Sequence, residues 1–303
     1  MDLQGEFKNL KNLSYVNDVN SDVDVNNSTE VIEFTEVKQG AIQKIKQCEL
    51  FILDIDGTFY LSGKPFEGSK KFVDTMELLG KRFIFLTNNS NRTIESYVEE
   101  FRNIGYSLRK EQFITAGVAT AQYLYEEFGP SKVYIVGTED IKQEFKKVGH
   151  YIVEENPEIV VVTFDKTLTY EKIKKATQFV SKGALFVLTN PDLNCPTDEG
   201  PIPDAGAIAS VIRKASGIYP NIIFGKPEPK LIEMVIRNYN INPGQVCMVG
   251  DRIYTDILAG IQAGTLTVLV LTGEATVEDV QKSPIKPHLI VKDIGVIAKL
   301  ITS

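Results

Sequence analysis

The chain has 303 residues, of which 43% are hydrophobic and 24% are charged, and its formal net charge is -7 at pH 7. These values are typical of a globular protein with one large domain or two medium ones. The negative charge argues against a general nucleic-acid-binding protein, which would present a basic surface. No stretch approaches the roughly 18 consecutive apolar residues of a membrane helix. Residues 1–13 also lack the apolar core of a signal peptide.

The few cysteines and histidines exclude several kinds of site. Cys48, Cys195 and Cys247 are widely spaced and form no CxxC pair, which suggests neither a disulfide framework nor a zinc knuckle. His150 and His288 belong to no recognisable motif, and we expect both at the surface. We therefore predict a cytoplasmic protein with reduced thiols, and neither nucleic-acid nor membrane partners.

Residues 1–40 are polar and acidic and show no long periodic apolar face, which predicts a mobile N-terminal extension. Strand and helix patterns alternate in the rest of the chain. The predicted strands are 49–56, 82–88, 113–117, 132–138, 159–165, 184–192, 221–227, 245–251 and 265–273. The predicted helices are 41–48, 66–81, 92–105, 118–129, 170–183, 207–217, 229–240 and 255–264.

This alternation predicts an α/β fold with an open, mostly parallel sheet covered by helices on both sides. The series of elements in 131–220 is long enough to form a separate α/β module. We therefore expect one core built from 41–130 and 221–303, with 131–220 inserted into it. In open sheets of this kind, ligands bind at the carboxyl ends of the strands.

Polar side chains follow the strands that we assign to the core. They are Asp54, Asp56, Thr87, Asn88, Lys226 and Asp251. Because the carboxyl ends of parallel strands share one edge of a sheet, we expect these groups to converge. Clustered carboxylates suit Mg²⁺, and the ammonium with the hydroxyl and amide donors suits a phosphate. A well-oriented carboxylate such as Asp54 can attack phosphorus, and a second acid such as Asp56 can transfer protons.

Four motifs carry a resemblance to a known family. The stretches DIDGT at 54–58, TNN at 87–89, GKP at 225–227 and GDRIYTDI at 250–257 occur in this order. They resemble the four motifs of the haloacid dehalogenase superfamily, and their spacing resembles its NagD-like, para-nitrophenylphosphatase-type branch. The resemblance spans about residues 45–303 and implies a Rossmann-like core with a C2-type α/β cap between the second and third motifs.

The resemblance also implies roles for individual residues. Asp54 would be the nucleophile and a metal ligand, and Asp56 the acid/base, with its backbone carbonyl on the metal. Thr87 and Asn88 would hold the phosphoryl oxygens, and Lys226 would neutralise them and brace Asp54. Asp251 would bind the metal, and Asp256, at the start of a helix, would lie just outside the metal ligands, where it could orient a metal-bound water. In the cap, Asn190, Asp192 and Asn194 resemble the region that sets substrate specificity.

The predicted function is hydrolysis of small-molecule phosphomonoesters, dependent on Mg²⁺, through an aspartyl-phosphate. A phosphomutase on the same core is an alternative. A phospho-acceptor signalling module is a weaker one, because Asp56 and the roughly 90-residue insertion have no place in it. Nucleotides, sugar phosphates, glycolate phosphate and pyridoxal phosphate all fit a capped pocket. The family resemblance makes a homodimer through the cap possible.

Overall fold

A computed structural model describes the backbone of residues 34–36 and the structure of residues 40–197 and 199–303. The rest of the predicted N-terminal extension lies outside the described residues. Residues 34–36 fall within that predicted extension, yet they form an edge strand. No helix in the described ranges is long and apolar enough to cross a membrane.

The described strands form two larger sheets and two short hairpins. The strands are β1 (Phe34–Glu36), β2 (Leu50–Leu53), β3 (Tyr60–Leu61), β4 (Lys64–Pro65), β5 (Arg82–Thr87), β6 (Phe113–Thr115), β7 (Lys132–Val136), β8 (Tyr151–Ile152), β9 (Ile159–Val162), β10 (Leu185–Leu188), β11 (Asn194–Cys195), β12 (Ile202–Pro203), β13 (Ile222–Ile223), β14 (Val246–Gly250), β15 (Leu266–Val270) and β16 (Leu289–Val291).

Helices cover these sheets. They are α1 (Ala41–Gln47), α2 (Glu67–Leu79), α3 (Ile94–Asn103), α4 (Ala116–Phe128), α5 (Glu139–Val148), α6 (Tyr170–Ser181), α7 (Ala205–Ser216), α8 (Lys230–Tyr239), α9 (Leu258–Gln262), α10 (Val277–Lys282) and α11 (Ile294–Thr302). A π-helical turn at Ile253–Ile257 leads directly into α9. The helix predicted at 255–264 is therefore divided between two helical types.

The first sheet has the strand order β1-β16-β15-β14-β2-β5-β6, and only β1 runs antiparallel to its neighbour. Strand β2 lies near the centre, and all four of its residues are buried. Phe51 and Leu53 face one apolar layer, whereas Leu50 and Ile52 face the other. A strand buried on both faces is a continuous apolar run, as the sequence indicated. The predicted α/β class is confirmed.

The second sheet has the order β13-β10-β9-β7-β8, and all of its strands are parallel. One prediction was wrong here. We assigned the strand before Lys226 to the first sheet, but Ile222 and Ile223 pair with Val187 and Leu188 in the second. A short apolar strand fits the interior of either sheet equally well, so its sequence does not distinguish them. The predicted boundaries of core and cap remain predictions.

Several elements escaped the sequence analysis. Helix α5, strand β16 and helix α11 lie in segments for which we predicted no element. Each helix has a recognisable start, because acidic Glu139 and Asp140 occupy the first turn of α5, and Asp293 caps α11 by accepting a hydrogen bond from Gly295 N. The signals that we overlooked were thus the local ones at the N-termini of these helices.

The prediction that His150 lies at the surface was also wrong, since only 3% of the residue is exposed. Its Nε2 lies 2.9 Å from the carbonyl oxygen of Ala121, and Ser131 N donates to Nδ1 over 3.4 Å. The rings of Tyr125 and Phe145 lie beside it. Both ring nitrogens thus have backbone partners, which makes burial of the imidazole favourable.

Ser90, in the loop after β5, connects the two sheets. The residue is fully buried. Its hydroxyl donates to Asn190 Oδ1 (3.1 Å) and accepts from the backbone N–H of Phe164 (2.9 Å). Thr189 Oγ1 lies 3.0 Å away. These partners follow β9 and β10 of the second sheet, so one buried hydroxyl joins loops from both sheets.

We predict that Ser90→Ala lowers the free energy of unfolding by about 1–3 kcal/mol, because the buried N–H of Phe164 loses its acceptor. Urea denaturation measures this change. The matched control is Ser210→Ala, since among the residues that the structure describes the Ser210 hydroxyl bonds only to Gly206 O within its own helix. The control should change stability by less than about 0.5 kcal/mol. Equal effects of the two substitutions would contradict the role of Ser90.

Candidate active site

Asp54 follows the central strand β2 directly, and its backbone N–H donates to Val249 O over 2.9 Å, which continues the ladder to β14. Its carboxylate accepts a hydrogen bond from the Lys226 ammonium at 2.6 Å. The same ammonium donates to Asp256 Oδ1 at 2.7 Å and to the carbonyl oxygen of Leu86 at 3.1 Å. Lys226 thus links the ends of β2 and β5 to the helical turn after β14.

The ammonium of Lys226 is one of the most deeply buried charges of the described chain, since the residue is 1% exposed. Burial alone would lower the pKa of Lys226, but the carboxylates of Asp256 and Asp54 raise it above its ordinary value. The side chain is therefore charged at neutral pH. A buried cation of this kind is stable only beside its anions.

The side chain of Asn88 forms hydrogen bonds with the backbone of Lys226. Its Oδ1 accepts from Lys226 N at 2.8 Å, and its Nδ2 donates to Lys226 O at 2.8 Å. The second Nδ2 hydrogen is donated to Asp192 Oδ2 at 2.9 Å. The side-chain amide of Asn88 therefore positions Lys226 and contacts Asp192, and both of its hydrogens are already donated. Thr87, the last residue of β5, is buried beside it.

Asp251 follows β14 and lies next to the turn that carries the first motif. Its Oδ1 accepts from Thr58 Oγ1 at 3.3 Å, and its Oδ2 accepts from Glu274 N at 2.8 Å. Gly57 has φ +83°, and a Cβ atom built on it would lie 2.5 Å from Asp251 Oδ2. Glycine is thus required at 57 both by the left-handed backbone and by the close approach of the carboxylate.

Asp54, Asp251 and Asp256 together form a candidate metal centre, because each offers an oxygen atom within 4.8 Å of the others. Burial raises the pKa of Asp54 to about 8; the Lys226 ammonium opposes this rise, and the charges of Asp256 and Asp251 add to it. Burial and the charge of Asp256 likewise raise the pKa of Asp251 to about 6. The negative charge of these carboxylates therefore exceeds the positive charge that Lys226 supplies.

The observed residues fit a divalent cation in both charge and donor type. Three carboxylates and the single ammonium of Lys226 carry a net charge of -2 when all four are ionised. Carboxylate oxygens are the ligands that Mg²⁺ prefers. Both oxygens of Asp256 are held by hydrogen bonds, since Oδ1 accepts from the Lys226 ammonium and Oδ2 accepts from Arg252 N at 3.1 Å.

Asp56 lies two residues after Asp54, where its side chain reaches solvent although neighbouring protein partly surrounds it. Removal from bulk water, together with the negative charge of Glu100, raises the pKa of Asp56. Arg92 pairs with Glu100 at 2.5 Å and stacks over the ring of Tyr97, with Cζ 4.2 Å from its centroid. The sequence analysis missed Arg92 and Glu100, because only tertiary packing brings them to Asp56.

The predicted cap residues meet the first sheet through hydrogen bonds. Asn190 is fully buried, and its Nδ2 donates to Asp192 Oδ2 at 3.2 Å and to Asp204 Oδ1 at 3.1 Å. Because Asp192 also accepts from Asn88, it joins this loop to the residues around Lys226. The structure thus brings Asp192 to the site, whereas Asn190 is enclosed behind it. Asn194 is exposed in strand β11.

Comparisons with known proteins agree with this geometry. Residues 51–151 match the haloacid dehalogenase-like hydrolase family model, and residues 223–297 match a second model of the same superfamily. An acid sugar phosphatase of Staphylococcus aureus is 36% identical over 252 residues, which cover 83% of this chain and 97% of that protein.

Solved structures give the same result. The 4-nitrophenylphosphatase of Thermotoga maritima is 42% identical, with a TM-score of 0.83 over 85% of this chain and 99% of that one. NagD from Escherichia coli K-12 is 31% identical, with a TM-score of 0.77 over 82% of this chain and 97% of that one. The chain therefore belongs to the haloacid dehalogenase-like hydrolases and is a phosphatase of their NagD-like, para-nitrophenylphosphatase-type branch.

Proposed function

We propose that this phosphatase hydrolyses small-molecule phosphomonoesters through an aspartyl-phosphate on Asp54, and that it depends on Mg²⁺. The observation that carries the proposal is the buried group of Asp54, Asp251 and Asp256 around the single ammonium of Lys226. So much buried negative charge is costly unless a cation and a ligand offset it. Similarity to phosphatases such as the Thermotoga maritima enzyme supports the same reaction class.

Asp54 and Asp251 would hold the metal through carboxylate oxygens, and Asp56 through its backbone carbonyl. When bound, Mg²⁺ would offset the negative charge of the carboxylates and of the phosphoryl group. Asp256 holds Lys226 and the start of the helical turn through the hydrogen bonds that it accepts from the Lys226 ammonium and from Arg252 N. Thr87 and Lys226 lie at the ends of neighbouring segments. They would stabilise the negative charge of the phosphoryl oxygens.

In the first step, an Asp54 oxygen attacks phosphorus, and the bond from phosphorus to the ester oxygen breaks. The rigid strand and the hydrogen bond from Lys226 orient the attacking carboxylate. Asp56 donates its proton to the departing oxygen, which leaves as an alcohol. A raised pKa favours this task, because the side chain then holds a proton nearer to neutral pH.

In the second step, a water molecule attacks the phosphorus of the aspartyl-phosphate, and the bond to the Asp54 oxygen breaks. Asp56, now ionised, accepts the proton of that water. Inorganic phosphate leaves, and both carboxyl groups return to their starting states. Asp56 distinguishes this hydrolysis from a phospho-acceptor module, which needs no second acid at this position.

We predict that Asp54→Asn lowers kcat by at least about 1,000-fold, because the amide is a poor nucleophile and the covalent step is lost. Release of para-nitrophenol from para-nitrophenyl phosphate measures the rate. Asp74→Asn is the matched control, since Asp74 pairs with Lys70 on the exposed face of α2. Full activity in Asp54→Asn would refute the covalent mechanism.

A second prediction concerns the metal. Removal of divalent ions with EDTA should abolish turnover, and Mg²⁺ should restore it. Mg²⁺ should also raise the unfolding temperature of the wild type, because a ligand that binds only the folded state stabilises it. Asp251→Asn should weaken both effects. An EDTA-treated enzyme with undiminished turnover would rule out the proposed metal dependence.

A third prediction concerns Lys226. Lys226→Met should abolish activity and lower the free energy of unfolding by about 3–5 kcal/mol, since buried Asp54 and Asp256 lose their counter-ion. Lys230→Met, four residues along the chain at a partly exposed site, should cost less than about 1 kcal/mol. Chemical denaturation without Mg²⁺ measures both variants. Comparable stability of the two would contradict the central position of Lys226.

A further inference from the structure

The side-chain amide of Asn88 lies between the Lys226 backbone and the carboxylate of Asp192. Its Oδ1 accepts from Lys226 N and its Nδ2 donates to Lys226 O, each over 2.8 Å. The second Nδ2 hydrogen is donated to Asp192 Oδ2 over 2.9 Å. One planar amide makes all of these bonds, and its nitrogen keeps no hydrogen for a phosphoryl oxygen. Asp192 is therefore connected to the Lys226 backbone through Asn88.

Asp192 favours one of the two orientations of this amide. A flipped amide would place its carbonyl oxygen against Lys226 O and against the Asp192 carboxylate, and acceptors that face each other repel. In the observed orientation each of these acceptors receives a hydrogen, and the bond to the carboxylate is of the stronger, charge-assisted kind. Asp192 thus favours the orientation of Asn88 that satisfies both backbone groups of Lys226.

The carboxylate of Asp192 is itself held in place. Its Oδ2 also accepts from Asn190 Nδ2 over 3.2 Å, and the Asp192 backbone carbonyl accepts from Gly206 N over 2.9 Å. Asn190 is fully buried, and its Oδ1 accepts from Ser90 Oγ over 3.1 Å. Asp192, which is half-buried, therefore presents a fixed acceptor to Asn88 rather than a mobile surface charge.

Gly225, directly before Lys226, packs against the same groups. Its N–H donates to Thr189 O over 2.7 Å. A Cβ atom built on Gly225 would lie 2.7 Å from Asn88 Oδ1 and 2.8 Å from Asn190 Cβ, so there is no room for a side chain. The segment that carries Lys226 thus lies close to the loops after β5 and β10, and its position depends on both.

The position of the Lys226 backbone matters because its ammonium contacts the proposed nucleophile. Lys226 Nζ lies 2.6 Å from Asp54 Oδ1 and 2.7 Å from Asp256 Oδ1. A displacement of about 1 Å in such a constellation can lower a rate by about 100-fold. The hydrogen bonds from Asp192 through Asn88 to Lys226 therefore reach the place where phosphoryl transfer is proposed.

We infer that Asp192 is a positioning residue, which acts through Asn88 on Lys226 rather than on the substrate. The inference rests on the proposed function, because it uses Lys226 as a group that stabilises phosphoryl transfer. It also differs from the role that the family resemblance implied for Asp192. A residue that contacts the leaving group affects only esters that carry the matching group, whereas a residue that positions Lys226 affects every ester equally.

Two variants remove the acceptor, Asp192→Ala and Asp192→Leu, of which the second keeps a similar side-chain volume. We expect kcat to fall by about 10- to 100-fold in each, which is the loss of one hydrogen bond to a charged group. The factor should be equal for para-nitrophenyl phosphate, glycerol 3-phosphate and glucose 6-phosphate, with KM nearly unchanged. Asp192→Asn keeps a carbonyl acceptor and should recover most of the rate. The control is Asp140→Ala, at an exposed residue in the first turn of α5, which should leave kcat unchanged.

A double-mutant cycle tests the route through Asn88. Asn88→Ala should lower kcat at least as much as Asp192→Ala does. When Asn88→Ala is already present, adding Asp192→Ala should lower kcat no further, because the two residues act through one set of bonds. Thermal unfolding of each variant checks that it is folded.

Hydrogen exchange provides a readout that does not depend on turnover. The Lys226 N–H is bonded to Asn88 and should exchange at least about 10-fold faster in metal-free Asp192→Ala and Asp192→Leu than in the wild type. The N–H groups of β14 should exchange at unchanged rates. NMR of the nitrogen-labelled protein measures both.

Three results would overturn the inference. They are a loss confined to KM or to the esters with hydroxyl groups, a full effect of Asp192→Ala in the presence of Asn88→Ala, and unchanged exchange of the Lys226 N–H in the folded variants. In each case the wild type still releases phosphate, so the proposed function stands. Absence of phosphate release by the wild type with Mg²⁺ would overturn the proposed function, and the exchange rates would still show whether Asp192 holds Lys226.

Discussion

The arrangement of the site depends on one buried ammonium. Lys226 donates to Asp54 and Asp256 at distances below 3 Å, and Asp251 adds a third carboxylate to the same small volume. Burial raises the pKa of Asp54, and although the Lys226 ammonium opposes this rise, the negative charges of Asp256 and Asp251 add to it. Asp54, the proposed nucleophile, therefore lies in an environment that becomes favourable for its charged form only with added positive charge. This need for charge makes a metal and a phosphoryl ligand complementary to the site.

The contacts of Lys226 also join the two sheets. Lys226 enters the site from the loop after β13, a strand of the second sheet, while Asp54 and Asp251 end strands of the first. Asn88 holds the Lys226 backbone from the first sheet and contacts Asp192 of the second-sheet loop. Lys226 and the loop that carries Asp192 thus share one set of hydrogen bonds through Asn88, so the candidate site is complete only where both sheets meet.

Much of the fold and of the candidate site could be predicted from the sequence, because the burial of strands determines their residue pattern. Buried parallel strands are apolar runs, and their carboxyl ends share an edge, so Asp54 and Asp251 could be placed together from pattern alone. The sheet to which β13 belongs could not be predicted, because its two isoleucines fit the interior of either sheet. Arg92 and Glu100 reach Asp56 only through packing of α3 and its loop, which leaves no periodic signal. The buried imidazole of His150 likewise depends on backbone partners that are distant in sequence.

Asp54 is proposed to carry the phosphoryl group during turnover, and chemical trapping of the phosphorylated residue is the direct test. The enzyme would be mixed with a phosphate-labelled ester and Mg²⁺, quenched in acid within milliseconds, and reduced with borohydride. Borohydride converts an aspartyl-phosphate to homoserine, and peptide mass spectrometry then locates it. We expect homoserine at position 54 in the wild type. Homoserine at another position, or turnover with no modified residue at any quench time, would contradict a covalent role of Asp54.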